Sequence, residues 1–443
     1  MVMALSARMA ASGHAVAAPG APNGYKQTEV GIIPEDWEVY RLGDLFEITS
    51  SKRVFKSEWK SDGVPFYRAR EIALLSERGF VDNELFISRE MYDAFQRSYG
   101  VPQPGDLLVT GVGTLGKVYV VPDKGEFYFK DGNIIWFKIN NAVSSFFLRQ
   151  LYLIPAIINQ IFDGAAGTTV GTYTISAAKK TVVPFPPTQA EQETIADALL
   201  DADALVKSLE SLIAKKIAIK QGAMQELLTG RQRLPGFKAP WGERSLFQLA
   251  GCQKERFNDG DWVESEHIIE SGIRLIQTGN IGIGEFVESE SKKYISEVSF
   301  KALRCKEVRT GDLLISRLAD PAGRACILPE IGEDKVITSV DVTIFRPLKD
   351  EADECFLKQI FCTSDWFQSV SDRSGGTTHK RISRGALGAI KIRVPSVSEQ
   401  AAIASVLKEM DSEIASLQSK LKKAHLVKQG MMQQLLTGRV RLI

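Results

Sequence analysis

Apolar residues recur in alternating steps of four and three positions in two long stretches of the chain, and this spacing predicts the seam of a coiled coil. The first stretch falls within residues 188–229, and the second begins 208 positions later. Two equal seams in one chain most simply pack on each other. The predicted seam residues are Ile195, Leu199, Ala202, Val206, Leu209 and Ile213 in the first stretch, and Ile403, Leu407, Met410, Ile414, Leu417 and Leu421 in the second.

Both stretches carry signals for a helix start and a helix stop. Each start has the spacing of a capping box, in which a hydroxyl and a carboxylate bond to amides of the first turn, and each stop has a glycine followed by arginine. The capping-box pairs are Thr188 with Glu191 and Ser396 with Glu399, and the stop glycines are Gly230 and Gly438. Residues 188–229 predict a helix about 63 Å long at 1.5 Å per residue.

The chain contains an internal repeat. Residues 187–234 align without a gap to residues 395–442, with about half of the positions identical. Fainter landmarks repeat before each helix: a tryptophan, a Gly-Asp-Leu-Leu segment and a Gly-Thr-Thr passage, at Trp37, 105–108 and 167–169, and again at Trp241, 311–314 and 376–378. Repeats of this kind determine the architecture. We therefore predict two domains of one fold, each followed by a long helix.

The predicted fold class is α+β, with two similar mixed α/β domains related by a pseudo-two-fold repeat. Short runs rich in β-branched and aromatic residues, such as 118–121 and 133–139, predict strands, and residues 146–162 predict a helix. The expected segments are a disordered leader at 1–24, a first domain at 25–187, a first long helix at 188–235, a second domain at 236–395 and a second long helix at 396–443.

A second apolar patch follows each seam. It lies beside Gly222 in the first helix and Gly430 in the second, although glycine inside a helix costs about 1 kcal/mol. Its matched occurrence predicts a close approach at both glycines, and the patch is the candidate surface for a protein partner. Its residues are Met224, Leu227 and Leu228 with Met432, Leu435 and Leu436.

Composition excludes several classes of protein. No run approaches the roughly 18 consecutive apolar residues that a membrane helix needs. The five cysteines all lie in the second half, without a C-x-x-C pair, and predict reduced thiols in a cytoplasmic protein. The formal net charge is only +1, which by itself does not indicate a partner that is a polyanion.

No catalytic, metal or cofactor site is predicted within this chain. Residues 111–117 resemble a phosphate-binding P-loop, but Val118 occupies the position where Ser or Thr would bind Mg²⁺, so a turn between strands is the better interpretation. No Ser-His-Asp, Cys-His or paired-carboxylate set recurs in the two domains. The chain is predicted not to be an enzyme by itself.

The two domains do carry polar and basic loops at matching landmarks. Arginine suits guanine edges, asparagine and glutamine suit adenine, and lysine and threonine suit phosphates. Because the matched loops hold different side chains, they favour one scaffold with two specificities. The candidate DNA-binding residues are Lys52, Arg53, Lys56, Arg68, Arg70, Thr110, Lys117, Thr168 and Thr169 in the first domain, and Gln277, Asn280, Arg317, Arg324, Arg373, Thr377, Thr378, Lys380 and Arg381 in the second.

The chain resembles the specificity subunit (HsdS) of type I restriction-modification systems over nearly everything after residue 25. The resemblance is carried by residues 31–34 with Trp37, both Gly-Asp-Leu-Leu segments, the Gly-Thr-Thr passages and both Leu-Leu-Thr-Gly-Arg helix ends. It implies a non-catalytic subunit in which each domain reads one half of a split double-stranded DNA target. The long helices would form an antiparallel coiled coil.

The resemblance also implies the partners. Two methyltransferase (HsdM) subunits, which bring S-adenosylmethionine for adenine-N6 methylation, would dock on the helices, and restriction (HsdR) subunits would add ATP- and Mg-dependent cleavage. Two other interpretations stay open: a pseudo-dimeric adaptor that binds only proteins, and the specificity subunit of a related type II system. Residues 25–187 hold 18 basic and 19 acidic residues, and residues 236–395 hold 23 and 24. We therefore expect weak DNA binding by this chain alone.

Overall fold

The computed structural model describes residues 21–123, 125–139, 143–165, 171–318, 321–376 and 380–442. The chain forms two compact units. The first runs to Leu209 and resumes at Lys420, and the second comprises Glu210–Ser419. Each long helix therefore contributes part of its length to each unit. No helix in the described ranges is long and apolar enough to span a membrane. Residues 1–20 of the predicted leader lie outside those ranges.

The first unit contains a mixed α/β domain followed by the first long helix. Its strands are β1 Tyr25–Thr28, β2 Gly31–Pro34, β3 Glu38–Arg41, β4 Glu47–Thr49, β5 Val64–Tyr67, β6 Phe86–Ile87, β7 Leu107–Thr110, β8 Val118–Val120, β9 Tyr128–Phe129, β10 Ile134–Lys138 and β11 Val182–Phe185. Its helices are α1 Leu42–Leu45, α2 Ala69–Arg78, α3 Arg89–Ser98, α4 Ser145–Leu151, α5 Pro155–Ala165, α6 Ile175–Lys180 and α7 Gln189–Leu227, which continues into the second unit.

The central sheet of the first domain is antiparallel, in the order β4-β10-β7-β8. Its middle strands read as continuous apolar runs because both faces are covered. Leu107 and Phe137 pack with α4 and α5, whereas Leu108 and Trp136 pack on the opposite face with Ile72 of α2. A smaller sheet has the order β6-β5-β9, with β5 and β9 parallel, and β3 pairs with β11.

The second domain repeats this plan. Its strands are β12 Gly242–Ser245, β13 Phe257–Asp259, β14 Ile268–Ile269, β15 Ile273–Ile276, β16 Lys293–Ile295, β17 Leu313–Ser316, β18 Ala325–Ile327, β19 Val336–Thr338, β20 Val342–Phe345 and β21 Lys391–Val394. Its helices are α8 Leu246–Leu249, α9 Glu297–Ala302, α10 Glu354–Ile360, α11 Ser364–Ser371, α12 Arg384–Gly388 and α13 Val397–Leu435, which continues into the first unit. The central sheet has the order β13-β20-β17-β18, and a second sheet has the order β14-β16-β15-β19.

Two local predictions can be compared directly with these elements. The P-loop-like residues 111–117 connect β7 to β8, which pair antiparallel with Val109 opposite Val118, so the predicted turn between strands is confirmed. The single helix predicted at 146–162 is wrong, because the chain forms α4 and α5 there. Pro155 begins the second of these helices, and proline is favoured at a first helical position but not inside a helix.

The long helices α7 and α13 begin with half of the predicted capping box. The Thr188 and Ser396 hydroxyls accept hydrogen bonds from the amides of Glu191 and Glu399, as predicted. The carboxylates, however, are not used as predicted: each is buried in an ion pair with an arginine that follows the other helix. Those pairs are Glu191 with Arg441 and Glu399 with Arg233.

In each unit, segments of the two helices run antiparallel. In the first unit Lys428 pairs with Asp203, and in the second Lys216 pairs with Glu413 and Lys220 with Asp411. As the residue number in α7 rises from one pair to the next, the number of its ion-pair partner in α13 falls, which is the pattern of antiparallel helices. The seam residues Ile195, Leu199, Val206, Ile213, Ile403, Leu407, Ile414 and Leu417 are buried.

The predicted partner patch requires a correction. Leu435 and Leu436 lie in the core of the first unit with Trp37, and Leu227 and Leu228 lie in the core of the second. These four leucines are at most 8% exposed, so they complete the domains instead of presenting a docking surface. Met224 and Met432 are only partly buried beside these cores.

The glycines of the long helices also differ from expectation. Beyond the helix's own backbone, no described atom lies within 4 Å of the position that a Cβ would take at Gly222 or Gly430, so the described part of this chain does not make the close approach predicted there. The close approach occurs at the stop glycines. Gly230 and Gly438 have φ of +70° and +67°, and a Cβ there would lie 3.2 Å from Trp241 and 3.1 Å from Trp37.

Candidate nucleic-acid interface

Most of the candidate loops of the first domain meet at one edge of its sheets. The Gly111 amide donates to the Asn133 carbonyl at 2.9 Å, and the Tyr173 amide donates to the Gly111 carbonyl at 2.9 Å. The Ser50 hydroxyl donates to the Ile134 carbonyl at 2.8 Å. The Lys130 amide donates to the Tyr67 carbonyl at 2.8 Å, which brings the end of β5 to the same place. We call the segments 50–58, 67–70, 110–117, 130–133 and 171–175 the first edge.

The first edge is predominantly basic, with its cations held to different degrees. Lys52, Arg53 and Lys56 are exposed on the loop after β4. Arg53 donates to Asp131 at 2.9 Å, whereas the Lys52 ammonium lies 4.7 Å from the centre of the Tyr99 ring. In the same loop Phe55 is 61% exposed. An exposed aromatic ring between basic side chains is a combination that single- and double-stranded nucleic acids can contact.

Two arginines of the first edge behave differently from each other. Arg68 forms a bidentate pair with Glu71, at 3.0 and 2.7 Å, which fixes its guanidinium. Arg70 is exposed, and none of the described carboxylates lies within ion-pair distance of it. Lys117 pairs with Glu77 at 2.8 Å, and this pairing lowers the pKa of the Glu77 carboxyl.

Two first-domain predictions do not gain support from the structure. Thr110 is 1% exposed and its hydroxyl donates to the Thr114 carbonyl, so it stabilises the turn after β7 and is not available to DNA. Its selection was wrong because a threonine at a strand end is as often a turn residue as a phosphate contact. Thr168 and Thr169 lie outside the described residues.

The second domain has a matching edge, recognisable by the same backbone hydrogen bonds. The Arg317 amide donates to the Asp341 carbonyl at 2.8 Å, and the Ile382 amide donates to the Arg317 carbonyl at 3.0 Å. Arg317 therefore corresponds to Gly111, and Asp341 to Asn133. The second edge consists of residues 259–267, 276–280, 316–318, 323–324, 339–341 and 381–384.

The loops that follow β4 and β13 are opposite in charge. Residues 50–58 contain three basic residues and one acidic residue, whereas residues 259–267 contain four acidic residues and neither lysine nor arginine. Each loop packs a valine against its domain, with Val54 buried and Val263 partly buried, and continues into a short 3₁₀ turn, at Lys56–Glu58 and Ser265–His267. Each exposes one aromatic ring: Phe55 in the first, and Trp262, at 68%, in the second. The acidic loop is repelled by phosphates, so any basic contact of the second edge comes from elsewhere.

The basic groups of the second edge form a network around Arg317. This residue is 4% exposed, and its guanidinium donates to the carbonyls of Val340 at 2.5 Å and Ile382 at 3.2 Å. Its Nε lies 3.1 Å from Asp259 Oδ1. Burial lowers the pKa of the Arg317 guanidinium from its usual value. The prediction that Arg317 contacts DNA is therefore wrong, since its side chain is buried and its guanidinium donates to carbonyls of the same domain.

Two further arginines surround this buried one. Arg381 Nη2 lies 2.7 Å from Asp341 Oδ1, and Arg384 Nη1 donates to Asn258 Oδ1 at 2.8 Å and lies 3.8 Å from Asp259 Oδ2. Their side chains are 49% and 40% exposed. The edge therefore presents two arginine side chains to solvent, each beside a carboxylate.

The remaining second-domain candidates are distributed around this network. Gln277 lines a cavity of about 330 Å³ with Arg274 and Lys293. Asn280, predicted to bind DNA, is 5% exposed and instead accepts from the Gln277 amide at 2.9 Å and donates to the Val287 carbonyl. The Asn280 side chain therefore caps a turn. The sequence pattern did not distinguish this role from a contact with a base.

The other basic candidates of the second domain remain at the surface or outside the described part. Arg324 is half-buried, with Nε donating to the Pro321 carbonyl at 3.2 Å. Arg373 and Lys380 are exposed, and Arg373 donates to the Ser369 carbonyl at 2.9 Å. Thr377 and Thr378 lie outside the described residues.

Sequence reasoning missed Asp259, Asp341, Trp262 and Arg384. The first two are aspartates at the end of β13 and just before β20. A charged residue beside a buried strand indicates that an oppositely charged side chain lies nearby. Arg384 follows the predicted basic loop by three residues. The opposite charge of the loops after β4 and β13 was also detectable, but only once the two domains could be aligned through their hydrogen bonds.

The fold and the two edges define a protein with two similar α/β domains, each with a polar and charged edge, joined by long helices. The sequence profile described as "Type I restriction modification DNA specificity domain" matches residues 34–220 and 272–425. These two ranges cover well over half of the chain. The protein therefore belongs to the family of type I restriction-modification specificity subunits.

Individual relatives agree with this assignment. A putative type I restriction enzyme MjaX specificity subunit of Methanocaldococcus jannaschii is 26% identical over 94% of this chain and 96% of its own length. A putative type I restriction enzyme specificity subunit of Haemophilus influenzae, S.HindORF215P, is 29% identical over 42% of this chain and 45% of its own length.

Solved structures share the fold. The type I restriction-modification S subunit of M. genitalium superimposes with a TM-score of 0.55, 16% identity and coverage of 90% of this chain and 96% of its own. A chain from a study of complex assembly and conformational transition in the type I R-M system has a TM-score of 0.53 and 18% identity, with coverage of 92% and 99%.

Proposed function

We propose that this chain is the non-catalytic DNA-reading subunit of its system, with each edge contacting one half of a split, asymmetric target. The observation that carries the proposal is the pair of matched edges, because corresponding backbone positions hold side chains of different charge in the two domains. Such a pattern suits a scaffold that is kept while its specificity changes. Near-neutral domains make local basic groups responsible for contact with phosphates.

The long helices are proposed to space the two domains and to receive two HsdM methyltransferase subunits, with HsdR subunits added for cleavage. S-adenosylmethionine, ATP and Mg²⁺ belong to those partners, and the complex acts in the cytoplasm. Since Leu227, Leu228, Leu435 and Leu436 are buried, docking falls to the solvent faces of α7 and α13. Leu205 of α7 and Leu426 and Val427 of α13 are large apolar side chains that are more than half exposed there.

The test is to express the chain with its cognate methyltransferase subunit in a host without other adenine methylation, and to map N6-methyladenine across the genome. We expect one split motif with a fixed spacer. Replacing residues 41–180 with the matching segment of a relative should change one half of the motif and leave the other half intact. Absence of any motif would contradict the proposal and favour a protein-only adaptor.

A further inference from the structure

The arginine network of the second edge is a specific addition to the fold, not a requirement of it. In the first domain, Gly111 occupies the place of Arg317, and a Cβ at Gly111 would lie only 2.6 Å from the Tyr173 carbonyl oxygen. The first domain holds its edge together without any charge at this position. The corresponding arginine of the second domain therefore needs an explanation other than folding.

The partners of Arg317 are likewise charged only in the second domain. Hydrogen-bond and strand register match Asp259 with Ser50, Asp341 with Asn133, Arg381 with Thr172, and Arg384 with Ile175. None of the first-domain residues in this comparison is ionisable. Burying Arg317 beside Asp259 costs desolvation free energy, and the first domain forms the same edge without that cost.

The network leaves its two outer arginines oriented but not saturated. Asp341 contacts Arg381 through Nη2 alone among the described residues, and Asn258 and Asp259 contact Arg384 through Nη1. Each guanidinium has five donors in a planar fork, so each retains donors for a ligand. A fork held from one side by a carboxylate loses less conformational entropy when it binds.

We propose that Arg381 and Arg384 each recognise a guanine edge in the half-site of the second domain, with Asp341 and Asp259 as positioning residues. Arg317 in turn pairs with Asp259 through Nε, and its backbone amide donates to the Asp341 carbonyl. This inference rests on the proposed function and names the base class that the second edge selects. A guanine presents O6 and N7 in the major groove as two acceptors, which match one arginine fork.

Phosphate is the less suitable ligand for this network. A phosphate contacting Arg381 or Arg384 would approach Asp341 or Asp259, whose negative charges repel it. The exposed Arg373 and Lys380 have no such neighbours among the described carboxylates, so they suit phosphate better. The acceptor atoms on a base edge carry no net charge, so the aspartates do not repel them. An arginine fork that is already oriented also matches two acceptors with fixed positions.

The experiment is methylation mapping of the complete complex with single substitutions. Arg381→Lys and Arg384→Lys keep the charge but lose the bidentate fork. Asp341→Asn removes the carboxylate that holds Arg381, and Asp259→Asn removes the carboxylate 3.8 Å from Arg384, which Asn258 still holds. Arg373→Lys is the matched control. In the lysine variants we expect discrimination for guanine to fall by about tenfold or more at one position each. Both positions should lie in the same half of the motif, with the spacer and other half unchanged.

The asparagine variants separate positioning from structure. Asp341→Asn should relax the same guanine position as Arg381→Lys, without a change in the melting temperature of the complex. Asp259→Asn should relax the Arg384 position less, because Asn258 still accepts from Arg384, and it should lower the melting temperature, because it also removes the ion-pair partner of the buried Arg317. Arg373→Lys should leave the motif unchanged. If a variant complex fails to fold, in vitro binding of the remaining lysine variants to targets that carry 7-deazaguanine gives the same comparison, since that base lacks N7.

The possible outcomes separate a failure of the proposed function from a failure of the guanine assignment. A wild-type complex without a split motif would contradict the proposed function itself. A split motif that stays unchanged in Arg381→Lys and Arg384→Lys would overturn only the guanine assignment. Tighter binding of Asp341→Asn with an unaltered motif would identify the arginines as phosphate contacts and would also overturn it.

Discussion

The loops after β4 and β13 occupy matching places in the two domains and carry opposite charge. In the first domain this loop holds Lys52, Arg53 and Lys56, whereas in the second it holds Asp261, Glu264 and Glu266. Both loops nevertheless keep a valine that packs against the domain, a 3₁₀ turn and an exposed aromatic ring. The fold therefore determines where a loop lies, and the exposed side chains alone determine what it can contact.

The difference shows how one scaffold supports two binding modes. The first edge concentrates its cations on a loop that extends from the sheet, while the second places them in an arginine network at the ends of β17 and β20. A phosphate backbone attracts the first arrangement regardless of sequence, whereas the second suits directed contacts. If this view is correct, features that both domains share should affect stability alike, and the loops that differ in charge should affect DNA binding differently.

The largest expected effect concerns a feature that the two units share. Arg441→Met leaves the fully buried Glu191 carboxylate without its partner, and we expect unfolding of the first unit to become easier by about 3 kcal/mol. Arg233→Met should destabilise the second unit in the same way through Glu399. Chemical denaturation of the purified chain, followed by tryptophan fluorescence, measures both.

The control for this prediction is the double variant Glu191→Met with Arg441→Met. Replacing a buried ion pair with apolar residues is often neutral, so most of the lost stability should return. If the double variant is no more stable than Arg441→Met, the loss comes from packing of the arginine stem and the pair is not the anchor that holds the end of α13.

The sequence was sufficient to predict the repeat, the long helices and the duplicated α/β domains, because these depend on periodicity and on strong end signals. It was not sufficient for the ends themselves. Glu191 and Glu399 fit a local capping box, and only tertiary contact shows that their carboxylates pair with arginines about 250 and 166 positions away. Leu227 and Leu435 were misassigned for the same reason, since an apolar face does not reveal what covers it.

The candidate sites were predicted less completely than the fold. Loop positions were found because polar residues cluster between strands, and the basic loop at 50–56 does lie at the first edge. The sequence could not separate exposed arginines from buried ones, so Arg381 and Arg317 were treated alike. Asp259 and Asp341 were missed because their meaning depends on cations that are distant in sequence and adjacent in the fold.

The second prediction exchanges the divergent loops. Replacing residues 52–56 with the second-domain residues 261–265 removes three positive charges and adds two negative ones. We expect DNA binding by the assembled complex to weaken by about a hundredfold. The plot of log affinity against log salt should become shallower, with the magnitude of its slope lower by about 2 to 3. Titration of labelled target DNA at several salt concentrations measures both quantities.

The reciprocal exchange is the informative control. Placing residues 52–56 at positions 261–265 should strengthen binding without changing the methylated motif, because added phosphate contacts carry no sequence information. If instead this exchange alters one half of the motif, the acidic loop takes part in base selection and the contrast between the two edges must be redrawn.

The third prediction concerns two glycines of the long helices whose surroundings differ. Gly438→Ala should lower the free energy of unfolding by about 1–2 kcal/mol, because φ is +67° and the new methyl group would meet Pro34 and Trp37. Gly222→Ala should instead stabilise the chain by about 0.5–1 kcal/mol, since it lies inside α7 with open space around it. Opposite signs in thermal unfolding are expected, and a loss of stability in Gly222→Ala would show that the helix is covered at that position.

The smallest expected effect distinguishes two arginines of the first edge. Arg53 is already paired with Asp131 at 2.9 Å, whereas no described carboxylate lies within ion-pair distance of Arg70. An arginine that must give up a carboxylate gains less from a phosphate, so Arg70→Ala should weaken DNA binding several-fold and Arg53→Ala by less. Each change acts on a charge, so the salt slope should fall by about 1 for Arg70→Ala and by less for Arg53→Ala. Equal losses in the two variants would contradict this prediction and would mean that Asp131 releases Arg53 when DNA binds.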